Sequence, residues 1–422
     1  MDRRTFLRTT GVAGVAGLAG CSTPFDPVST PESSNGSGSA PTDGSGAGNE
    51  STGELTETPE APQTRSGAAL TGVFPGSEEL DATLAAYSNW ISKKPAVVLL
   101  FVDALAEPSA TQGFVDDALT QVWNAGHVPM ISWQPLVNDG QTPEAVERRI
   151  ANGDYDEQIR AWAMALDDWA HPRGGQTRGR RFYFRPAHEM NGNWFPWSAV
   201  DSTRVPASTD SPGTADDYVS MWRHVHQLFG NTDLDETNVQ WMWSPNADEP
   251  SNSVRAEQYY PGDEFVDWVG LDGFNFGGSQ EYDNGATSNW RSPNGIFGPM
   301  LQRIRDLTDK PVALAEFASS SVPESGDGHQ PQQKAEWIQD VFDYVAENDI
   351  KMACWFNVDQ EGQDESDWAV FGGARGTSQV TIGGTQYPVY EAYNRSVSGS
   401  DYLGALPDYP PLLTDDEFAG DF

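Results

Sequence analysis

Cysteine, lysine and long apolar runs are what this 422-residue sequence has least of. Its two cysteines are Cys21 and Cys354. The first falls in a leader segment, so no intramolecular disulfide is expected and stability must come from packing. Acidic residues outnumber basic ones 62 to 25, for a net charge of −37. That excludes the basic footprint of a nucleic-acid binder. No apolar run reaches the roughly 20 residues that a membrane-spanning helix needs. HExxH, CxxC and EF-hand patterns are missing, and no Gly-rich nucleotide fingerprint follows the first predicted strand. Neither a metal nor a cofactor is therefore expected.

What is there begins with Arg3-Arg4, set directly before an apolar Gly/Ala-rich run from Gly11 to Gly20. A twin-arginine start and a short apolar region read as an export signal of the Tat type over residues 1–20. The run closes on Leu18-Ala19-Gly20-Cys21, which resembles a lipoprotein lipobox. By that likeness Cys21 carries lipid and tethers the chain to the outer face of the cytoplasmic membrane, its one expected membrane contact. The plain alternative is a membrane-start segment with an incidental cysteine. Residues 21–66 are Ser, Thr, Pro, Gly and Glu with almost no large apolar side chain, which predicts a flexible linker. One large domain is expected over 67–405 and an acidic tail over 406–422, in a monomer. The dispersed acidic charge resembles proteins of extreme halophiles, in which a charged surface maintains solubility in concentrated salt. An ordinary acidic secreted protein is the alternative.

Short β-rich apolar runs alternate with helical patterns, the mark of βα units and a parallel sheet. Eight runs occur: 69–74, 96–102, 128–133, 181–188, 239–243, 266–271, 312–315 and 351–356. Their near-continuous apolar character suits strands buried on both faces. Helical stripes lie between them: Leu80, Leu84, Tyr87 and Ile91 behind Ser77 as cap; Ile159, Trp162, Leu166 and Trp169; Tyr218, Met221, Trp222, Val225 and Phe229 behind Thr214 as cap; and Ala335, Ile338, Phe342 and Val345. Eight such units predict an α/β fold of the (β/α)8 TIM-barrel class.

Active residues of such a barrel sit at the C-terminal strand ends. The fourth run ends Arg185-Pro186-Ala187-His188-Glu189, and the seventh ends Ala313-Leu314-Ala315-Glu316. An unpaired charge buried after an apolar strand costs several kcal/mol, so each glutamate needs a reason to be there. Alternation would place Arg185, Ala187 and Glu189 on one face and Val312, Leu314 and Glu316 on one face. Two facing carboxylates are what glycoside hydrolysis requires, and a separation of about 5 to 5.5 Å would imply retention of configuration. Arg185 is expected to keep Glu316 ionised, and Trp194 and Phe195 to raise the pKa of Glu189.

The run His188-Glu189-Met190-Asn191-Gly192-Asn193-Trp194-Phe195-Pro196-Trp197, with Ala315-Glu316-Phe317, resembles glycoside hydrolase family 26 over roughly residues 69–400. The resemblance implies β-mannanase or β-glucanase activity. It makes Glu189 the acid/base and Glu316 the nucleophile, with His188 and Trp194 shaping the catalytic subsite. It also matches Asp272 to an aspartate near the nucleophile, and Trp355 to a tryptophan that floors the −1 sugar. Trp133, Trp243 and Trp355 are strand-end aromatics suited to stacking on pyranose CH faces. Two departures touch the subsites: Phe274 stands where mannanases of the family commonly have Tyr, and Gln134 where they have His.

The expected activity is hydrolysis of β-1,4 linkages in a mannan-type polysaccharide by double displacement. Competing readings are a mixed-linkage or other β-glucanase, a transglycosylase, and a non-catalytic polysaccharide-binding surface lipoprotein. His224 and His226, two apart on a helix, read as surface or packing residues. Asp359, Glu361, Asp364, Glu365 and Asp367 crowd one loop after the eighth run, where a solvated acidic loop competes with a cation site.

Overall fold

Eight parallel strands form where the buried runs predict them: β1 (Ala69–Phe74), β2 (Val97–Asp103), β3 (Val128–Gln134), β4 (Phe182–Pro186), β5 (Val239–Trp243), β6 (Trp268–Asn275), β7 (Val312–Ser319) and β8 (Met352–Phe356). Each pairs with the next, and β8 closes on β1 over five positions from Leu70↔Met352 to Phe74↔Phe356. Helices surround this closed sheet, so the fold is a (β/α)8 TIM barrel. The computed structural model describes residues 61–137, 142–172, 179–200, 212–250, 253–281, 287–324, 328–361 and 365–422. The expected signal segment, Cys21 and the linker as far as residue 60 lie outside them.

Nearly every strand residue is buried, because the inner face fills the barrel and the outer face meets the helices. The predicted stripes are the packed faces of helices Leu80–Ile91, Asp156–Ala170, Ala215–Phe229 and Pro331–Glu347. Thr214 caps its helix in a capping box with Asp217. Ser77 does not cap the first helix; the N-cap is Glu79, in left-handed conformation at φ 46° and without a side-chain cap bond.

The segment 406–422, read as an acidic tail, packs against the strand-start end of the barrel. The Trp268 indole N–H and the Tyr183 hydroxyl both donate to the Phe418 carbonyl, at 3.1 and 3.2 Å. Arg181 donates to the Leu413 and Thr414 carbonyls and lies over the Phe418 ring, 4.8 Å from its centroid. Arg65, placed in the expected linker, holds Glu417 through two nitrogens at 2.7 and 2.9 Å. The residues just before β1 and the last segment thus meet beneath the barrel.

His127, immediately before β3, is fully buried with Nδ1 2.7 Å from the Pro95 carbonyl. Burial pulls its pKa down to about 4, nearby Lys94 acts in the same direction, and the carbonyl opposes them. The unfolded chain takes up this proton near pH 6.5 and the folded one only near 4, so stability falls as pH drops between those values. The expected loss is about 3 kcal/mol once pH is near 4. Urea midpoints of wild type and His127→Gln at pH 7.5 and 4.5 check this: the variant should lose less on acidification, and parallel losses would refute the assignment.

Candidate active site

β4 ends at Pro186, so Glu189 does not reach the barrel mouth by strand alternation. It arrives through a turn in which Ala187 and Glu189 both adopt left-handed conformations, φ 47° and 54°. Such residues cost about 1 kcal/mol or more each and persist where surroundings hold them. Here the Ala187 N–H donates to the Trp133 carbonyl at 2.9 Å, and the Glu189 N–H to the Ser244 carbonyl at 2.7 Å. The Trp197 indole donates to the His188 carbonyl at 2.9 Å, and the Tyr218 hydroxyl to the Ala187 carbonyl at 3.1 Å.

Glu316 reaches the mouth through a different irregularity. Leu271 pairs with Leu314 and Asp272 with Glu316, so Ala315 is the extra residue of a β-bulge that interrupts the alternation expected from Val312 to Glu316. The next residue, Phe317, packs outward on Phe342 and Trp355. Glu316 points inward, where its Oε1 accepts from Arg185 Nη1 at 2.5 Å and lies 3.8 Å from His188 Nε2.

Arg185 is the hub. It also donates to Ser132 Oγ and to Asp272 Oδ2, and Asp272 lies 3.4 Å from Ser244 Oγ. All these groups are buried. Burial pushes the Asp272 carboxyl well up, Glu316 and Glu189 push the same way, and Arg185 opposes them. Burial lowers the Arg185 pKa, but Asp272 and Glu316 raise it by more, so its net shift is upward.

Glu189 meets neutral donors instead. The Trp194 indole donates to Oε2 at 2.7 Å, and the Asn246 amide to Oε1 at 2.6 Å. Trp194 therefore approaches Glu189 with its N–H and not with an apolar face. Phe195 packs on His188 and Trp197. A side chain at Gly192 would meet the Trp194 ring at 2.5 Å, so glycine there lets the indole lie against the loop.

Of the other expected site residues, His188 and Asp272 join this cluster, while Gln134 and Phe274 are strand-end residues on inward faces. Gln134 is two residues beyond Ser132 on β3, buried, with neither amide atom hydrogen-bonded among the described residues. Phe274 packs with Phe276, Phe356 and Trp368. The three strand-end tryptophans are corrected: Trp133, Trp243 and Trp355 face the helix layer. Ser132 points inward to Arg185, so its neighbour Trp133 points outward against Phe184, which itself packs on Phe229. Ser244 points inward to Asp272, and Trp243 lies on Tyr260. Phe356 joins Phe74, Phe101 and Phe274 inside, leaving Trp355 among Phe317, Trp337 and Tyr393.

Residues missed in the sequence are Ser132, Ser244, Asn246 and, of this phenylalanine wall, Phe74, Phe101 and Phe356. Each lies at or just past the C-terminal end of a strand, and a search of strand ends for neutral polar residues would have found the first three. Away from the mouth, His224 pairs with Asp156 and His226 packs on Trp241. The acidic loop after β8 is largely committed to protein partners: Asp359 accepts from the Ala374 N–H, Glu361 pairs with Arg375 and His329, and Asp367 accepts from the Ser321 N–H. Asp364 lies outside the described residues.

Residues 107–290 match the family described as glycosyl hydrolase family 26. Among curated proteins, the chain is 28% identical over 301 residues to Endoglucanase H of Acetivibrio thermocellus, covering 71% of this chain and 28% of that protein. It is 29% identical over 219 residues to mannan endo-1,4-beta-mannosidase A and B of Caldalkalibacillus mannanilyticus, covering 49% and 36%. The chain thus spans only about a third of these relatives' length. Among solved structures, the catalytic domain of an endo-beta-1,4-mannanase from Bacillus sp. JAMB-750 shares the fold, with a TM-score of 0.55 and 19% identity, covering 82% of this chain and 90% of that one. The chain is thus similar to glycosyl hydrolase family 26 over residues 107–290, a stretch that includes Glu189 beyond β4 but not Glu316 of β7.

Proposed function

We propose that the protein hydrolyses β-1,4 linkages in a mannan-type polysaccharide by double displacement, with Glu189 as acid/base and Glu316 as nucleophile. The observation that carries this reading is the unequal treatment of the two carboxylates. Glu316 is held by a buried guanidinium, which favours a permanently ionised group. Glu189 is held by two neutral N–H donors, which suits a group that must lose and regain a proton. In the first step Glu316 attacks the anomeric carbon as Glu189 protonates the departing glycosidic oxygen. In the second, Glu189 takes a proton from water, whose oxygen displaces Glu316.

A β-1,3-1,4-glucan is the second reading. Phe274 brings no hydroxyl to the nucleophile's side of the cleft, Gln134 replaces the histidine of mannanases, and a curated relative matched over 301 residues bears an endoglucanase name. The test is a panel of mannan, glucomannan, lichenan, xylan and cellulose at high and low salt. Mannan should be cleaved fastest, with initial release of the β-anomer. Preference for lichenan would move the assignment to a glucanase, and binding without turnover on every polymer would leave a polysaccharide-binding protein.

We further propose attachment through lipid on Cys21 after Tat export, and adaptation to concentrated salt. Both rest on sequence, through the lipobox-like Leu18-Ala19-Gly20-Cys21 and the net charge of −37. Recovery of the mature protein from cells in the soluble fraction, or equal stability with and without molar salt, would contradict the respective point.

A further inference from the structure

Ser244-Pro245-Asn246 leaves the end of β5 on the wall facing Glu189. Asn246 is 3% exposed, and its amide oxygen and both backbone polar groups are committed. Its Oδ1 accepts the Asp248 N–H at 2.9 Å, an Asx turn within its own loop. Its backbone N–H donates to Asn191 Oδ1 at 2.8 Å, and its carbonyl accepts from Asn191 Nδ2 at 2.9 Å, a reciprocal pair that ties this loop to the one carrying Glu189. The adjacent Ala247 N–H donates to the Asp272 carbonyl at 2.7 Å.

These bonds decide which way the Asn246 amide points. Turned over, it would set N–H against N–H at Asp248 and a carbonyl against a carboxylate at Glu189. The NH2 end therefore faces Glu189 Oε1, at 2.6 Å. The loop is braced from behind by Glu249, which accepts the Ala256 N–H at 2.6 Å and both Arg303 nitrogens at 2.8 and 3.1 Å. Trp194, on the other oxygen, sits at the open side and is 8% exposed.

We propose that Asn246 is a positioning residue that gives the two oxygens of Glu189 different tasks: Oε1 is the anchored oxygen, and Oε2 is the one that exchanges the proton. The inference rests on Glu189 being the acid/base. In the first step the O–H bond at Oε2 breaks and its proton goes to the glycosidic oxygen, while the bond from the anomeric carbon to that oxygen gives way to one with Glu316. In the second step Oε2 takes a proton from water, the water oxygen bonds to the anomeric carbon, and the bond to Glu316 breaks. The arriving glycosidic oxygen replaces the Trp194 N–H as the partner of Oε2.

Asn246→Asp and Asn246→Ser test this. Aspartate keeps the shape and the acceptor for the Asp248 N–H; serine keeps a short acceptor without adding charge, so one is expected to fold if the other does not. On the polysaccharide that wild type cleaves, kcat should fall roughly 10- to 100-fold with KM within about twofold. On a dinitrophenyl glycoside, whose leaving group needs no proton, kcat/KM should fall less than about threefold. The basic limb of the pH profile of kcat/KM should move upward in both variants, further in Asn246→Asp, because a donor to the carboxylate is lost and in one case replaced by negative charge. Equal losses on both substrates with an unmoved limb would mean a purely structural role and overturn the inference. Wild-type protein inactive on every β-glycan would instead remove the functional reading, and this inference with it.

Discussion

Glu316→Ala should lower kcat on any hydrolysed β-glycan by at least about ten-thousand-fold while the barrel stays folded. The loss is large because no other carboxylate holds its place: Asp272 is tied to Arg185 and Ser244, and Glu189 lies across the mouth on Asn246 and Trp194. The fold survives because Arg185 keeps Asp272 and Ser132 as partners, so no buried cation is stranded. Azide makes the test specific to roles. In Glu316→Ala it fills the vacated α-side of the sugar, and an activated β-glycoside should yield the α-glycosyl azide. In Glu189→Ala it attacks the covalent intermediate from the opposite side and should yield the β-azide. Interchanged products would reverse the two assignments, and near-wild-type turnover in Glu316→Ala would end the double-displacement account.

Replacing Arg185 with Met should cost about 3–5 kcal/mol of stability, on the order of 10 °C in Tm, and abolish activity as well. Arg185 is fully buried and is the cation that both Asp272 and Glu316 contact. Without it two buried carboxylates face one another with no guanidinium between them. The deficit should also depend on pH. Asp272 is already pushed up by burial and by its carboxylate neighbours, with Arg185 pulling the other way. A carboxyl whose folded pKa lies above its unfolded one contributes stability at low pH and loses it as pH rises through the folded value. Removing Arg185 enlarges that shift, so the deficit should be greatest near pH 8 and shrink toward pH 5. Urea midpoints at the two values measure it, and a deficit independent of pH would show that packing, not charge, accounts for the loss.

The barrel was legible because strands buried on both faces leave continuous apolar runs, and all eight appear within a few residues of their predicted bounds. Glu189 and Glu316 were legible because charge at the end of such a run is rare without purpose. How they reach the mouth was not. A bulge at Ala315 and left-handed residues at Ala187 and Glu189 are set by tertiary bonds that leave no local pattern. The same blindness misplaced Trp133, Trp243 and Trp355: at a strand end one residue of slip turns a side chain from the inside to the outside. Between Trp355 and Phe356 only the closure of β8 on β1 decides which ring faces inward. The last segment misled through composition, since Asp408, Asp415, Asp416 and Asp421 are solvent-facing while Leu412, Leu413, Glu417 and Phe418 are buried.

The Arg65–Glu417 pair sits at the opposite pole of the barrel from Glu189 and Glu316. From this pole the described residues run from Arg65 directly into β1. A pull applied ahead of Arg65 would load the Arg65–Glu417 pair before it reached β1, sparing the geometry of the two glutamates. The cleft at the other pole is left clear of this junction, so the seam between the two segments and the groove beside the glutamates can be altered independently.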